Sequence, residues 1–134
     1  MAWVLRGNIQ GPQGPAGPQI TVVWNPITLI SGYASQNGTP AYAVMPDGSI
    51  RLSGGIKKTT PPMVTGTQIA TMSSAGLPDR NLEFAVATTD TGGFTTGRLE
   101  ITPTGVMTIW LSAGQTAVAW IALDGITYPK TTGI

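Results

Sequence analysis

The sequence predicts an all-β protein, with a short collagen-like neck followed by an antiparallel β-barrel or jelly-roll-like sandwich, assembled as a homotrimer. Three observations predict this fold. Glycine recurs at every third position in residues 11–19. The rest of the chain is rich in Thr, Val, Ile and Gly, while only 10% of all residues are charged. Short alternating segments are separated by turn signals about every ten residues, and none has the period of a helix.

The neck prediction depends on Gly11, Gly14 and Gly17, each of which is followed by proline. Three polyproline II chains can wind together only when the residue at the crowded axis has no side chain, so the repeat favours a trimer. A run this short spans about 28 Å and would not hold three chains together alone. The alternative is an extended linker that never winds into a triple helix.

In both interpretations this segment divides the chain. Residues 1–10 are the predicted N-terminal anchor peptide, residues 11–19 the neck, and residues 20–134 the β head. Trp3, Val4 and Leu5 ahead of a stalk suit an anchor that docks on a larger assembly, and a disordered terminus is the alternative. With one Arg and no long apolar core, residues 1–10 do not match a signal peptide.

The first half of the head alternates β-branched segments with proline and glycine breaks. The clearest signal is the turn Pro46-Asp47-Gly48, because glycine accepts the positive φ of a tight hairpin. After it, Ile50 and Leu52 alternate with polar residues, which predicts one buried face and one wet face. Asn25-Pro26 is a predicted break, and residues 31–40 and 59–66 are predicted loops. The predicted strands are residues 21–24, 27–30, 41–45, 49–56 and 68–72.

The second half of the head has the same pattern. Residues 82–88 and 98–102 alternate apolar and polar positions. In residues 106–111 both faces carry apolar side chains, with Trp110 opposite Ile109 and its neighbours. This strand is therefore expected to be covered on both sides, and in a trimer the second cover would be a neighbouring subunit. The predicted strands here are residues 82–88, 98–102, 106–111, 117–123 and 126–128.

Composition excludes several function classes. The net charge is only +1, and Lys57-Lys58 is the only basic pair, so nothing indicates a nucleic-acid surface. The chain has no His and no Cys, which removes the usual base of serine and cysteine hydrolases and the usual zinc ligands. The few carboxylates fall in predicted turns or on wet strand faces. We therefore predict no catalytic residue, no cofactor and no metal, and no apolar run is long enough for membrane insertion.

Binding is the more plausible chemistry, because aromatic side chains near polar groups can hold the apolar C–H faces of sugars. The predicted core contains Trp120, and Trp24 is expected to pack where the neck meets the head. Trp110 is predicted to be either a subunit contact or a ligand contact. Loops on a rigid β scaffold are the usual place for recognition. The possible ligand contacts are Tyr33, Asn37, Phe94 and Trp110.

Several loose motifs together resemble a known family. They are Val23-Trp24, the Tyr-bearing hairpin of residues 41–54, the strand and proline step of residues 68–78, and the later strands of residues 98–105 and 120–126. After a collagen-like repeat, this pattern resembles the tail-fibre and receptor-binding tip proteins of bacteriophages. The resemblance covers most of residues 20–128. It implies a trimeric β-barrel or jelly-roll head that often binds cell-surface saccharides.

The resulting hypothesis is a non-enzymatic phage virion protein, a trimeric fibre tip that binds the host surface, with a glycan as the expected receptor. Its expected partners are two further copies of itself and other virion proteins of the tail or capsid, reached through the N-terminal peptide. Family members usually carry a longer N-terminal region, so the chain is either part of a longer fibre or a small protein complete in itself. The alternative function is a capsid decoration protein anchored by residues 1–10.

Overall fold

The computed structural model describes residues 14, 21–91 and 93–130, and the regular secondary structure within them is almost entirely β-strand. A single-turn 3-10 helix, Ser74–Gly76, is the one helical segment of this part. The strands of the first half are β1 Trp24–Pro26, β2 Thr28–Leu29, β3 Tyr33–Ser35, β4 Ala41–Val44, β5 Ser49–Ser53, β6 Gly55–Lys58 and β7 Thr67–Thr71. Those of the second half are β8 Leu82–Asp90, β9 Gly93–Ile101, β10 Val106–Trp110, β11 Trp120–Ala122 and β12 Thr127–Pro129.

The all-β prediction is confirmed, but several predicted boundaries were wrong. The predicted break at Asn25-Pro26 lies inside β1, where proline is tolerated because β1 is the edge strand of its sheet. The predicted loop of residues 31–40 contains β3, which is held by pairing with β6 rather than by its own propensity. Only Trp120–Ala122 of the predicted strand 117–123 is a strand, although Val118 is fully buried.

The strands form two antiparallel sheets. The small sheet has the order β1-β4-β5-β12, and the large sheet has the order β2-β7-β10-β9-β8-β11-β6-β3. The large sheet curls into an almost closed barrel. Its two ends come close together, since the Tyr33 hydroxyl on β3 lies 3.4 Å from the Thr67 hydroxyl on β7. Two continuous stretches of chain, β5–β6 and β11–β12, pass from one sheet to the other. The pairing of β5 with β12 in the small sheet continues into the pairing of β6 with β11 in the large sheet. The linking bonds run from Leu52 N to Ile126 O and from Leu123 N to Gly54 O.

Strand directions give the molecule two distinct ends. We call the end where the chain enters β1 the entry end. The confirmed turn of residues 45–48 lies at this end, because Trp24 at the start of β1 pairs with Ala43 just before the turn. The end of β12 lies there too, because Pro129 pairs with Ser49 just after the turn. β12 and β11 run towards this end. Since β8 is antiparallel to β11, it runs away from the entry end, and the β8–β9 hairpin tip marks the far end.

Backbone and side-chain hydrogen bonds brace the loops of the far end against one another. The Asp90 carboxylate accepts bonds from the backbone N–H groups of Thr91 and Ala117, which ties the hairpin tip to the loop of residues 111–119. Met63 N donates to Val118 O at 2.7 Å, and Gly66 N donates to Ile109 O at 2.7 Å. These loops therefore form one connected surface.

One hydrophobic core lies between the sheets. Its fully buried members include Ile50, Leu52, Leu99, Ile101 and Ile109. The predicted alternation of β5 is confirmed, and in β9 Leu99 and Ile101 face inwards as expected. Polar groups inside the core are satisfied: the buried Thr88 hydroxyl donates to Trp120 O, and the Tyr128 hydroxyl donates to Gly76 O at 2.7 Å. Such pairing avoids the cost of a buried unpaired polar atom.

The predicted anchor, with Trp3, Val4 and Leu5, lies outside the described residues, as do Gly11 and Gly17 of the predicted neck. Gly14 is described singly and is exposed, and a Cβ placed there would meet no atom within 4 Å. In the part of the chain that the structure describes, no helix has the length and apolar character needed to cross a membrane.

Candidate functional site: an aromatic groove on the large sheet

The outer face of β8, β9 and β10 carries the best candidate site. Ala85 pairs with Arg98, and Arg98 pairs with Trp110, so these side chains form one row across three strands. The row projects outwards because the alternate residues Phe84, Leu99 and Ile109 point towards the core. The register of the sheet therefore places an aromatic ring beside a guanidinium group on an open surface.

A groove of about 570 Å³ follows this row, and we call it the Trp110 groove. This volume lies within the usual range for small-ligand sites. Its residues come from three strands and from the loop after β10. Those that shape its chemistry are Glu83, Ala85, Thr96, Arg98, Trp110 and Gln115.

Trp110 is 37% exposed at the end of β10, which is unusual for so large an apolar side chain. Its indole packs over Gly66, where a Cβ would stand 3.3 Å from the ring atom Cζ3. Gly66 also has a φ of +78°, which side chains of L residues rarely adopt. Glycine at this position thus both shapes the loop and leaves room for the indole.

Arg98 gives the groove its charge. The guanidinium carbon lies 5.6 Å from the centroid of the Trp110 ring, which is the geometry of a cation–π contact. An Arg98 nitrogen lies 3.7 Å from a Glu83 carboxylate oxygen, close enough for an ion pair but too long for a hydrogen bond. Both side chains are about half exposed, so water weakens the pair and each group keeps hydrogen-bonding capacity for a ligand.

Gln115 forms one wall of the groove and is already saturated by the protein. Its carbonyl oxygen accepts from the backbone N–H and the hydroxyl of Ser112, and its amide nitrogen donates to Thr95 and Thr96. Gln115 therefore braces the loop after β10 against β9, and it is a poor candidate for direct ligand contact. Its role is to keep the wall of the groove in place.

The four sequence-predicted ligand residues are not brought together. Phe94 is 86% exposed in β9, not in a loop as expected, and it shares the outer face with Arg98. Phe94 and Arg98 are four positions apart along the strand, which places them about 13 Å from each other. Tyr33 is half-buried in β3 and its hydroxyl lies near Thr67. Asn37 is exposed after β3 and has a φ of +55°, a turn role.

Trp24 and Trp120 differ from each other in exposure. Trp24 is 44% exposed at the entry end, and the neck that it was expected to contact lies outside the described residues. Trp120 is partly exposed rather than fully buried, while its neighbours Ile121 and Leu123 are completely buried. The prediction that Trp120 belongs to the core was therefore wrong for the Trp120 side chain, although the segment around it is part of the core.

The carboxylates have structural contacts. Asp47 accepts from the N–H and the hydroxyl of Ser49, and these bonds lower the pKa of the Asp47 carboxyl below its usual value. Asp124 accepts from Gly54 N and Ser53 Oγ, which fixes the link between the sheets. In residues 21–91 and 93–130 no three acidic side chains are placed to hold a metal ion.

Sequence reasoning missed Arg98, Glu83 and Gln115 as members of the site. Trp110 was found because a large aromatic residue opposite a buried face stands out in a strand. Its neighbours depend on which residues of β8 and β9 lie beside it, and a single sequence carries no signal for that register.

Two solved structures share this fold. The receptor binding protein of Listeria phage PSA matches 81% of this chain with a TM-score of 0.61 and 19% identity. This chain spans 64% of that protein's length. The head domain of lactococcal phage bIL170, described with the receptor binding domains of lactococcal phages, matches 81% of the chain with a TM-score of 0.56 and 14% identity. The match covers 98% of that domain. No protein-family model and no curated protein sequence matches the chain.

Proposed function

We propose that this chain is the host-binding head of a bacteriophage virion protein, working as a homotrimer at the tip of a fibre. The observation that carries the proposal is an exposed tryptophan in an open groove, on a fold shared with two phage receptor-binding proteins. The function is binding without catalysis. It fits a chain with neither His nor Cys, in which Asp47, Asp90 and Asp124 brace turns and loops.

The ligand in this proposal is a saccharide of the host surface. The exposed part of the Trp110 indole offers an apolar surface for the C–H face of a sugar ring. Arg98 can donate hydrogen bonds to hydroxyl oxygens, and Glu83 can accept them from hydroxyl groups. Placed 3.7 Å apart, the two side chains supply opposite hydrogen-bonding roles to one ring. Phe94 extends the same outer face towards the far end and would contact a longer chain of sugars.

The proposed trimer rests on the collagen-like repeat of residues 11–19 and on the low charge content of the chain. A surface poor in charge suits a molecule that covers part of itself with its neighbours. Three heads on one neck would bind a repeating surface polymer together, so weak single sites would give strong attachment. Residues 1–10 would attach the trimer to other virion proteins.

Replacing Trp110 with Ala tests the proposed site. The labelled full-length protein is bound to a panel of bacterial strains, and then to strains treated with periodate or with protease. We expect wild type to bind at least one strain, periodate to abolish this binding, and protease to leave it unchanged. Trp110→Ala should reduce binding at least tenfold, because stacking on an aromatic face is worth about 1 kcal/mol per site and three sites act together.

The matched control is Val44→Ala, which shortens an exposed apolar side chain on the small sheet and should bind like wild type. Binding that survives periodate and is lost after protease treatment would replace the saccharide by a protein receptor. Undiminished binding of Trp110→Ala would place the receptor site outside the groove.

A further inference from the structure

The outer face of the small sheet is open along its β1 side, whereas Ala43 in the middle of the face is fully buried. Trp24, Ala43, Arg51 and Thr127 form one row across its four strands, because each is paired with the next. Pro26, Ala41 and Ser53 form the row beside it. Trp24 and Pro26 belong to β1, which is the edge strand of this sheet in the described part of the chain.

Exposed apolar surface is concentrated on the β1 side of this face. Val23 is 62% exposed and Trp24 is 44% exposed. Beside them lies a groove of about 410 Å³, lined by Trp24, Pro26, Thr39, Ala41 and Ser53. None of these five residues is charged, and we call them the β1 patch. An aromatic side chain at the centre of an uncharged patch is the composition found at the centres of protein interfaces.

The sequence limits how far the β1 patch can lie from the neck. Only residues 20–23 separate the last collagen-like triplet from Trp24. At no more than about 3.5 Å per residue, this link spans at most about 18 Å. If residues 11–19 wind around a three-fold axis, β1 of every copy must therefore lie near that axis, at the entry end of the head.

We infer that the β1 patch is the contact between heads, and that its occupant is the β1 patch and adjoining surface of a second copy of this chain. The inference rests on the homotrimer of the proposed function and adds which surface is buried in it. A three-fold interface is formed by unlike sides of neighbouring copies, so Trp24 of one copy packs beside the β1 edge of the next.

Charge sets the limit of this contact. Arg51 lies two strands from β1 in the Trp24 row, about 10 Å away, and three arginines brought together at the axis would repel one another. The buried area therefore covers the β1 patch and stops short of Arg51. The Trp110 groove lies on the other sheet, so the contact between heads leaves the proposed receptor site open.

Site-directed cross-linking tests this interface in the full-length protein. The chain has no cysteine, so a single Ala41→Cys substitution provides the only thiol. The matched control is Ala87→Cys, on an exposed position of β8. Both are treated with a short bis-maleimide and analysed on a denaturing gel. Ala41→Cys should give at least ten times more covalent dimer than the control, and one chain of each trimer should remain uncoupled.

Light scattering on the same samples shows whether the β1 contact alone is wrong or the trimer as well. Equal cross-linking of both variants, in a protein whose mass is near three times 13.9 kDa, would overturn the β1 contact and leave the trimer standing. A mass near that of one chain would overturn the trimer and the interface together, while binding of bacteria through Trp110 would still be measured independently. Thr39→Cys, on an exposed position of the same patch, replaces Ala41→Cys if that variant does not fold.

Discussion

Tyr128 shows how a single side chain holds the entry end together. Its ring is 97% buried, lies 5.7 Å from the Phe84 ring, and its hydroxyl donates to Gly76 O. Tyr42 adds a second hydroxyl nearby, bonded to Ser73. Burial, and secondly the neighbouring Tyr42, raise the pKa of Tyr128 well above its usual value of 10. The folded state therefore holds the Tyr128 proton more tightly than the unfolded chain does.

This raised pKa predicts a loss of stability in alkali. The stability that the protonated Tyr128 hydroxyl contributes is fully present below pH 10, its pKa in the unfolded chain, and is lost as the pH rises above that value. Above pH 10 we expect the free energy of unfolding of wild type to fall more steeply than that of Tyr128→Phe. The difference in slope should be up to about 1.4 kcal/mol per pH unit. At neutral pH the Phe variant should be about 1 kcal/mol less stable, because Gly76 O loses its donor.

Urea unfolding at neutral pH and at several values above pH 10 measures both effects. Parallel losses of stability in the two proteins would show that another group titrates. Tyr33, which is half-buried on a different strand, provides a control in Tyr33→Phe.

At the scale of the element, the loop before β7 and the strand β10 form one unit. Gly66 N bonds to Ile109 O, and the Thr65 hydroxyl and the Leu111 backbone exchange two further bonds. The Trp110 indole packs on Gly66. The position of the aromatic ring thus depends on a loop that is distant from it in sequence.

Replacing Gly66 with Ala should therefore disturb the groove more than the fold. The new Cβ would stand 3.3 Å from the indole, and the φ of +78° costs a non-glycine residue about 1 kcal/mol. We expect a small fall in melting temperature and a loss of receptor binding similar to that of Trp110→Ala. Gly114→Ala, where a Cβ would meet nothing within 4 Å, is the matched control.

Calorimetry measures the melting temperatures of wild type, Gly66→Ala and Gly114→Ala, and binding assays measure their receptor binding. If Gly66→Ala binds like wild type although it is less stable, the orientation of Trp110 does not matter for the receptor.

The same elements show what one sequence can predict. The turn between β4 and β5 and the start of each strand were predicted correctly, because turn chemistry and alternation are local, but the predicted strand 49–56 is divided at Gly54 into β5 and β6. β3 was missed and β11 was drawn too long, because both depend on pairing with β6 across the barrel. Likewise Trp110 was found from its own strand, whereas its neighbour Arg98 became visible only with the register of β9 against β10.

Considered as a whole, the molecule is nearly neutral. Its net charge is +1, and the one charged pair of the Trp110 groove is balanced. Asp90 at the hairpin tip is occupied by backbone donors. A surface of this kind gives little long-range attraction to charged polymers, so recognition would depend on contact rather than on electrostatic steering.

Salt should consequently have little effect on receptor binding. Raising the ionic strength from about 0.01 M to about 1 M shortens the Debye length from about 30 Å to about 3 Å. We expect the apparent Kd on a binding strain to change by less than about threefold over this range. A weakening of a hundredfold would indicate an anionic receptor held by Arg98 or by Lys57 and Lys58.

The direction of β1 has a mechanical consequence. In the proposed fibre the neck would precede the start of this strand, at the entry end, whereas β1 itself runs towards the far end. A particle drifting away from a cell to which the far end is attached would pull β1 along its own axis. Hydrogen bonds between antiparallel strands lie across that axis, so the rungs joining β1 to β4 would share the load at once instead of opening one after another. The first strand would thereby be loaded in shear, the direction in which so short a ladder is strongest.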